Sequence, residues 1–242
     1  MRRTIILALA AVATLSSCGG DDATFIERMF DLESRSSKGA PPSTIEELKE
    51  GIRRYGDEVE KTAAAMEKVG TYWRMLAVRY LDKGLYGDAY DAATKALRHY
   101  PDSSGIYYVA GMSAAFLSKT AAAQPGGGAA SRAEWLAAAV GAYRRSIEIE
   151  PRNTKALYGL AVLYTFELED HESAIGPLEA LLGIETKNVD AMFVYARALY
   201  GSGRFQEASD VYDRIISTTR VDEKRKQAAD NKKRVLDELY GG

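Results

Sequence analysis

From residue 43 onward, apolar and polar positions alternate with helical spacing almost to the end of the chain. In the clearest stretch Trp73, Leu76, Ala77 and Tyr80 fall at i, i+3, i+4 and i+7, which is one face of a helix. Gly84 stands where that helix must stop. Tyr86, Ala89 and Ala96 then mark a second helix that ends before Pro101. Small residues at Ala77 and Ala89 let the two helices approach closely. The same order of positions recurs three times. From Ser104 it gives Tyr107, Ala110, Gly111 and Ala114, then Leu136, Ala139, Tyr143, Ser146 and Pro151. From Thr154 it gives Leu157, Leu160, Ala161 and Tyr164, then Ala174, Leu178 and Leu181. This copy is one residue longer, with Thr186 in place of the closing proline. From Val189 it gives Met192, Tyr195, Ala196, Leu199 and Gly203, then Phe205, Ala208, Tyr212 and Ile215, with Arg220 in the proline position.

The flanks have patterns of their own. Ser43-Thr44-Ile45-Glu46 reads as a capping box with Ser43 as N-cap, and it predicts a helix over 43–69 that packs on the array. Before it, Phe25, Ile26, Met29, Phe30 and Leu32 predict a short amphipathic helix, followed by a linker. Gln124 to Gly128 falls in an insertion over 119–132 that separates the two halves of the second copy and reads as flexible. At the far end, 223–242 predicts a capping helix, with Ala228, Val235, Leu236 and Leu239 on one face and Lys224, Arg225, Lys232 and Lys233 outside.

The recurring positions resemble the tetratricopeptide repeat (TPR), a helix-turn-helix unit of about 34 residues. The resemblance implies an all-α fold, a right-handed α-solenoid, with repeats over 70–103, 104–153, 154–188 and 189–222. It also implies function. First helices of such repeats line a concave groove through positions 2, 5, 9, 12 and 13. Carried onto this chain, those positions give Arg74, Tyr108, Met112, Phe116, Tyr158, Val162, Phe166, Phe193, Arg197 and Tyr200 as the partner-binding surface, with Thr165 also among them. TPRs that clamp a C-terminal carboxylate place asparagine and a basic residue at positions 5 and 9. Here Val78, Met112 and Val162 occupy position 9 and only Arg197 is basic, so the sequence departs from that clamp.

The leader changes the setting. Arg2 and Arg3 precede an apolar run from Ile5 to Leu15, which is too short to span a hydrocarbon core of ~30 Å and fits a signal peptide over 1–17. Leu15-Ser16-Ser17-Cys18 resembles a bacterial lipobox, which implies acylation of Cys18 and a lipidated tether over 18–42. Gly19 after the cysteine, rather than aspartate, favours the periplasmic face of the outer membrane within the cell envelope.

Composition narrows the chemistry. With 32 basic against 34 acidic residues in 242, the chain has no electrostatic footprint for nucleic acid. Cys18 is its one cysteine, and His99 and His171 are its two histidines, placed as structural or surface residues. No phosphate loop, dinucleotide fingerprint, nucleophile elbow or metal-ligand spacing is present, so neither an enzyme nor a bound cofactor or metal is expected. The expected function is a membrane-anchored scaffold that binds an exported protein or peptide through an aromatic groove. The alternative is a partner of a periplasmic solute-binding protein of a tripartite transporter, passing a small apolar ligand. The groove could also be closed by the chain's own N-terminal helix or by a second subunit, as in a homo-oligomer.

Overall fold

The computed structural model describes residues 44–123 and 129–241, and among these nine α-helices follow one another with no strand. They are α1 (Ile45–Asp82), α2 (Tyr86–Leu97), α3 (Ser104–Ala123), α4 (Ala129–Ile149), α5 (Thr154–Val162), α6 (His171–Ile184), α7 (Val189–Gly201), α8 (Phe205–Thr218) and α9 (Asp222–Tyr240). The leader, Cys18, the tether and residues 124–128 lie outside the described residues. The chain separates into two units, 1–63 and 64–242.

The first helix differs from expectation. No break separates a helix over 43–69 from the first repeat; α1 runs unbroken for 38 residues. Nothing between Glu67 and Thr71 is strong enough to end it, since an interior glycine such as Gly70 costs only about 1 kcal/mol. The cap also sits one residue later than expected. Thr44 Oγ1 accepts from the Glu47 N–H at 3.2 Å, and the Glu47 carboxylate accepts from the Thr44 N–H at 3.1 Å. Both frames satisfy the S/T-x-x-E pattern, so composition could not choose between them. Within the first unit Ile45, Leu48, Ile52, Tyr55 and Val59 are all exposed, from 40% to 74%. Their intervals alternate three and four residues, the spacing of a coiled-coil seam.

In the second unit each helix packs on its neighbour from α2 to α9, and α3 also meets α5, as α5 meets α7. The first helices of the second, third and fourth repeats therefore stack, as repeats in a solenoid do. The last turns of α1 join α2 and α3 through Ala77, Ala92, Ala93, Ala96, Ile106, Val109 and Ala110. A second, longer cluster runs from Ala114 to Val235. Within it Leu178, Leu181, Met192, Leu199 and Ile215 are almost wholly buried, each worth about 1.5–3 kcal/mol. Asn153, Asp170 and Asn188 cap α5, α6 and α7 by accepting from the N–H three residues on, at 3.1, 3.2 and 2.9 Å. A partly buried polar joint ties the start of α3 to the end of α4 and to the N-cap of α5. Ser146 Oγ donates to the Ser104 carbonyl at 2.9 Å, Asn153 Nδ2 donates to Ser146 Oγ at 3.1 Å, and Ser104 Oγ meets the Glu150 carboxylate.

Two details of local geometry shape the array. The Tyr143 ring, 4% exposed, lies against Gly111 of α3 and Gly159 of α5. A Cβ built on Gly159 would stand 2.6 Å from Tyr143 Cζ, and one on Gly111 2.8 Å from Cδ1. The second detail is the extra residue of the third repeat. It is absorbed by a π-turn over Leu163–Glu167, closed by the Leu168 N–H donating to the Leu163 carbonyl at 3.0 Å. Beyond it Glu169 takes φ 53°, where the first and fourth repeats use Gly84 (71°) and Gly203 (73°). Most of the expected insertion is helical too, because alanine-rich flanks extend α3 to Ala123 and start α4 at Ala129. Lys119 and Arg132 from those extensions both pair with Glu167, at 3.2 and 2.9 Å.

Gly159→Ala should cost about 1–3 kcal/mol in urea unfolding, because the ring has nowhere to move. In a Tyr143→Leu background the same change should be neutral or stabilising by up to about 1 kcal/mol. Equal effects in both backgrounds would remove the ring as the cause. Glu169→Gly should stabilise by roughly 0.5–1 kcal/mol, since a left-handed backbone disfavours any side chain; an unchanged melting curve would contradict this.

Candidate functional site

The expected groove residues do not form one continuous aromatic sheet. Arg74 and Val78 of α1 line a concavity of about 240 Å³ with Ser103, Gly105 and Val109, and the Arg74 guanidinium lies 5.7 Å from the Tyr100 ring. In the second repeat Tyr108 donates its hydroxyl to Met112 Sδ at 3.4 Å and tilts against Tyr143. Phe116 is stacked on Tyr86 with ring centres 4.3 Å apart, so one face is covered while the ring stays 37% exposed. Tyr158 and Val162 of α5 pack by one side against the core. Burial raises the Tyr158 hydroxyl above the usual phenol range; Asp190 adds to the shift and Lys224 opposes it. Thr165, expected in the groove, is instead 2% exposed. It lies inside the π-turn, which turns it inward and leaves its neighbour Phe166 half-exposed at 52%.

The histidines are placed by glycines. His99 lies against Gly70, and His171 against Gly201, with the Nδ1 of His171 buried and without a hydrogen-bond partner among the described residues.

Four expected groove residues do converge. Phe166, Phe193, Arg197 and Tyr200 line a concavity of about 390 Å³ with Val194, Tyr212, Gln227, Asn231, Arg234 and Val235. The aromatic rings brace one another, Phe193 on Tyr212 at 6.3 Å and Tyr200 on Phe205 at 5.4 Å, both edge to face. The Tyr212 hydroxyl is held above its ordinary pKa by burial, while Arg197, Asn231 and Arg234 pull it back.

The wall contributed by α9 was not expected. The helix read as a cap is also a further first helix in the same frame. Counting the next repeat from Glu223, positions 5, 9, 12 and 13 are Gln227, Asn231, Arg234 and Val235, the four α9 residues that line the concavity. Position 2 is Lys224, which pairs with Asp190 at 2.6 Å. Extending the repeat once more would have found them; the strongly charged composition of the segment concealed it. Ala228 and Val235 are buried, as a cap requires.

Comparison with known proteins agrees with this geometry. The family model of the tetratricopeptide repeat matches residues 165–229, which includes the start of α9. The array is a tetratricopeptide-repeat fold. MamA from Desulfovibrio magneticus RS-1 superposes at TM-score 0.53 and 15% identity, covering 70% of this chain and 94% of that one. A thermophilic TPR protein of Thermus thermophilus, TTC0263, gives 0.53 and 18%, covering 76% and 95%. YrrB, described as a TPR protein with an unusual peptide-binding site, gives 0.53 and 16%, covering 74% and 88%. No curated protein matches in sequence. Among the described residues no group of three or more histidine, cysteine, aspartate or glutamate side chains could hold a metal, and no helix is long and apolar enough to cross a membrane.

Proposed function

We propose that the protein is a membrane-anchored scaffold of the cell envelope whose groove takes a segment of an exported protein. The observation that carries this reading is the concavity between α7 and α9, where Phe166 stands half-exposed beside Phe193, Arg197 and Tyr200. Exposed aromatic surface next to polar groups is the usual make-up of a partner site, because rings bury much area at little entropic cost. YrrB, a structural neighbour of the same fold, is a peptide binder by its own description, which supports a peptide as occupant.

Anchoring rests on the leader: Cys18 follows Leu15-Ser16-Ser17 and is the one cysteine in the chain. Palmitate fed to an expressing cell should label the wild type and not a Cys18→Ser variant; equal labelling of both would remove the anchor. The partner reading is tested by crosslinking in envelopes. A Phe166→Glu variant should lose an exported protein that the wild type captures, with its circular dichroism unchanged, because that ring lies outside the core. Identical capture by both would move recruitment away from this concavity. The transporter-linked alternative is favoured by the volume, which falls in the range of small-ligand sites. Native mass spectrometry of the purified protein would show a bound small molecule if that reading holds.

Self-association has a separate basis in the exposed seam from Ile45 to Val59. A 3-4 spacing gives a helix one apolar line, which a second copy of the same helix can cover. Light scattering should show an oligomer that Ile52→Glu with Val59→Glu converts to monomer. A wild-type monomer at high concentration would contradict it.

A further inference from the structure

The concavity between α7 and α9 carries charge of one sign. Arg197 and Arg234 line it, and no aspartate or glutamate does. Of the basic residues near them in sequence, Arg204, Lys224, Arg225 and Lys232 pair with Glu207, Asp190, Asp222 and Asp213, while Lys226 and Lys233 lie outside the concavity and form no ion pair among the described residues. Arg197 and Arg234 form no ion pair among the described residues. The contact Arg197 does make, to the Tyr200 ring at 5.7 Å, orients its guanidinium without neutralising it. The two arginines come from different helices, at positions 9 and 12 of successive first helices. Two like charges lining one concavity repel each other, modestly because both side chains reach solvent. An anion lying between them would relieve that cost, and the planar guanidinium fork matches a carboxylate. Gln227 and Asn231 supply further donors on the same wall, and Phe166, Phe193 and Tyr200 supply apolar surface beside it.

We propose that this end of the groove holds a carboxylate of the bound peptide between Arg197 and Arg234, with a neighbouring aromatic or aliphatic side chain on Phe166 and Phe193. The proposal rests on the peptide-groove reading above and adds the chemistry of what is recognised. It differs from a clamp built on first helices of the early repeats, where Val78, Met112 and Val162 stand at position 9. Here the second guanidinium comes from the terminal helix. The carboxylate can belong to an Asp or Glu side chain or to a chain end, and the two sources need separate arms in the test.

The full chain is probed on arrays of short synthetic peptides, printed once with free and once with amidated C-termini. The wild type should select peptides in which a large apolar residue adjoins Asp or Glu, or, on the free-end array alone, adjoins the terminal carboxylate. Binding of those peptides should weaken about tenfold or more in Arg197→Gln with Arg234→Gln, the loss expected when a charge-assisted contact is removed. Arg197→Glu with Arg234→Glu should shift selection toward Lys and Arg peptides. Both side chains are exposed, and a thermal melt followed by circular dichroism checks that the variants fold. Peptides bound without acidic preference, or bound equally by the Gln variant, overturn the carboxylate site and leave the peptide groove standing. Silence on both arrays overturns the two together.

Discussion

The array depends on one ring held between two backbones. Tyr143 projects from α4 into the space between α3 and α5, where Gly111 and Gly159 have no side chain to oppose it. Any Cβ there would meet the ring well inside van der Waals contact, so the two glycines and the tyrosine define one another. The ring fixes how far apart consecutive first helices stand, and close packing passes that spacing on to the helices that follow. Burial raises the Tyr143 hydroxyl far above its ordinary pKa, with Tyr108 adding to the effect, so the group stays neutral at any physiological pH and the contact is not switched by protons.

The π-turn after α5 follows from the same requirement. An extra residue in a helix would rotate everything beyond it by about 100°, taking the apolar face of the next helix out of the core. A single i→i+5 turn absorbs the residue locally, so α6 and α7 rejoin in phase: Ala174, Ala191 and Ala196 are all fully buried. The consequence reaches the groove, because Thr165 turns in and Phe166 turns out. Glu167 then gathers Lys119 and Arg132 from the lengthened helices of the repeat before. A length irregularity in the sequence thus becomes a side chain offered to a partner.

The repeats were legible because their recurring demand is smallness: Ala89, Ala96, Ala139, Ala174 and Ala208 stand at helix crossings and are wholly buried. Groove positions were legible only as a frame. The frame names residues that face one way on an ideal helix, but it does not say which already have a neighbour. Phe116 finds Tyr86 of α2 through a contact that the repeat frame alone does not encode, whereas Tyr108 meets Met112 one turn along its own helix. The continuity of α1 was hidden for the opposite reason. A repeat boundary at residue 70 is a unit of pattern, while a helix ends only where backbone geometry or a capping group ends it. At the insertion, the glycine run reads as a loop, while the alanines on either side keep the backbone helical up to Ala123 and from Ala129.

The terminal helix shows how two demands share nineteen residues. A cap must bury one face and offer water the rest, and α9 does so with Ala228 and Val235 inside. Its lysines at 224 and 232 are paired with Asp190 and Asp213 on neighbouring helices, which is how surface charge adds modestly to docking. Arg234 contributes nothing of that kind. It lines the concavity with Arg197, and neither forms an ion pair among the described residues. Replacing either arginine by a neutral residue would relieve the repulsion in the free protein. On the carboxylate reading, a negative group between them offsets that repulsion, and the last helix is both the end of the stack and one wall of its site.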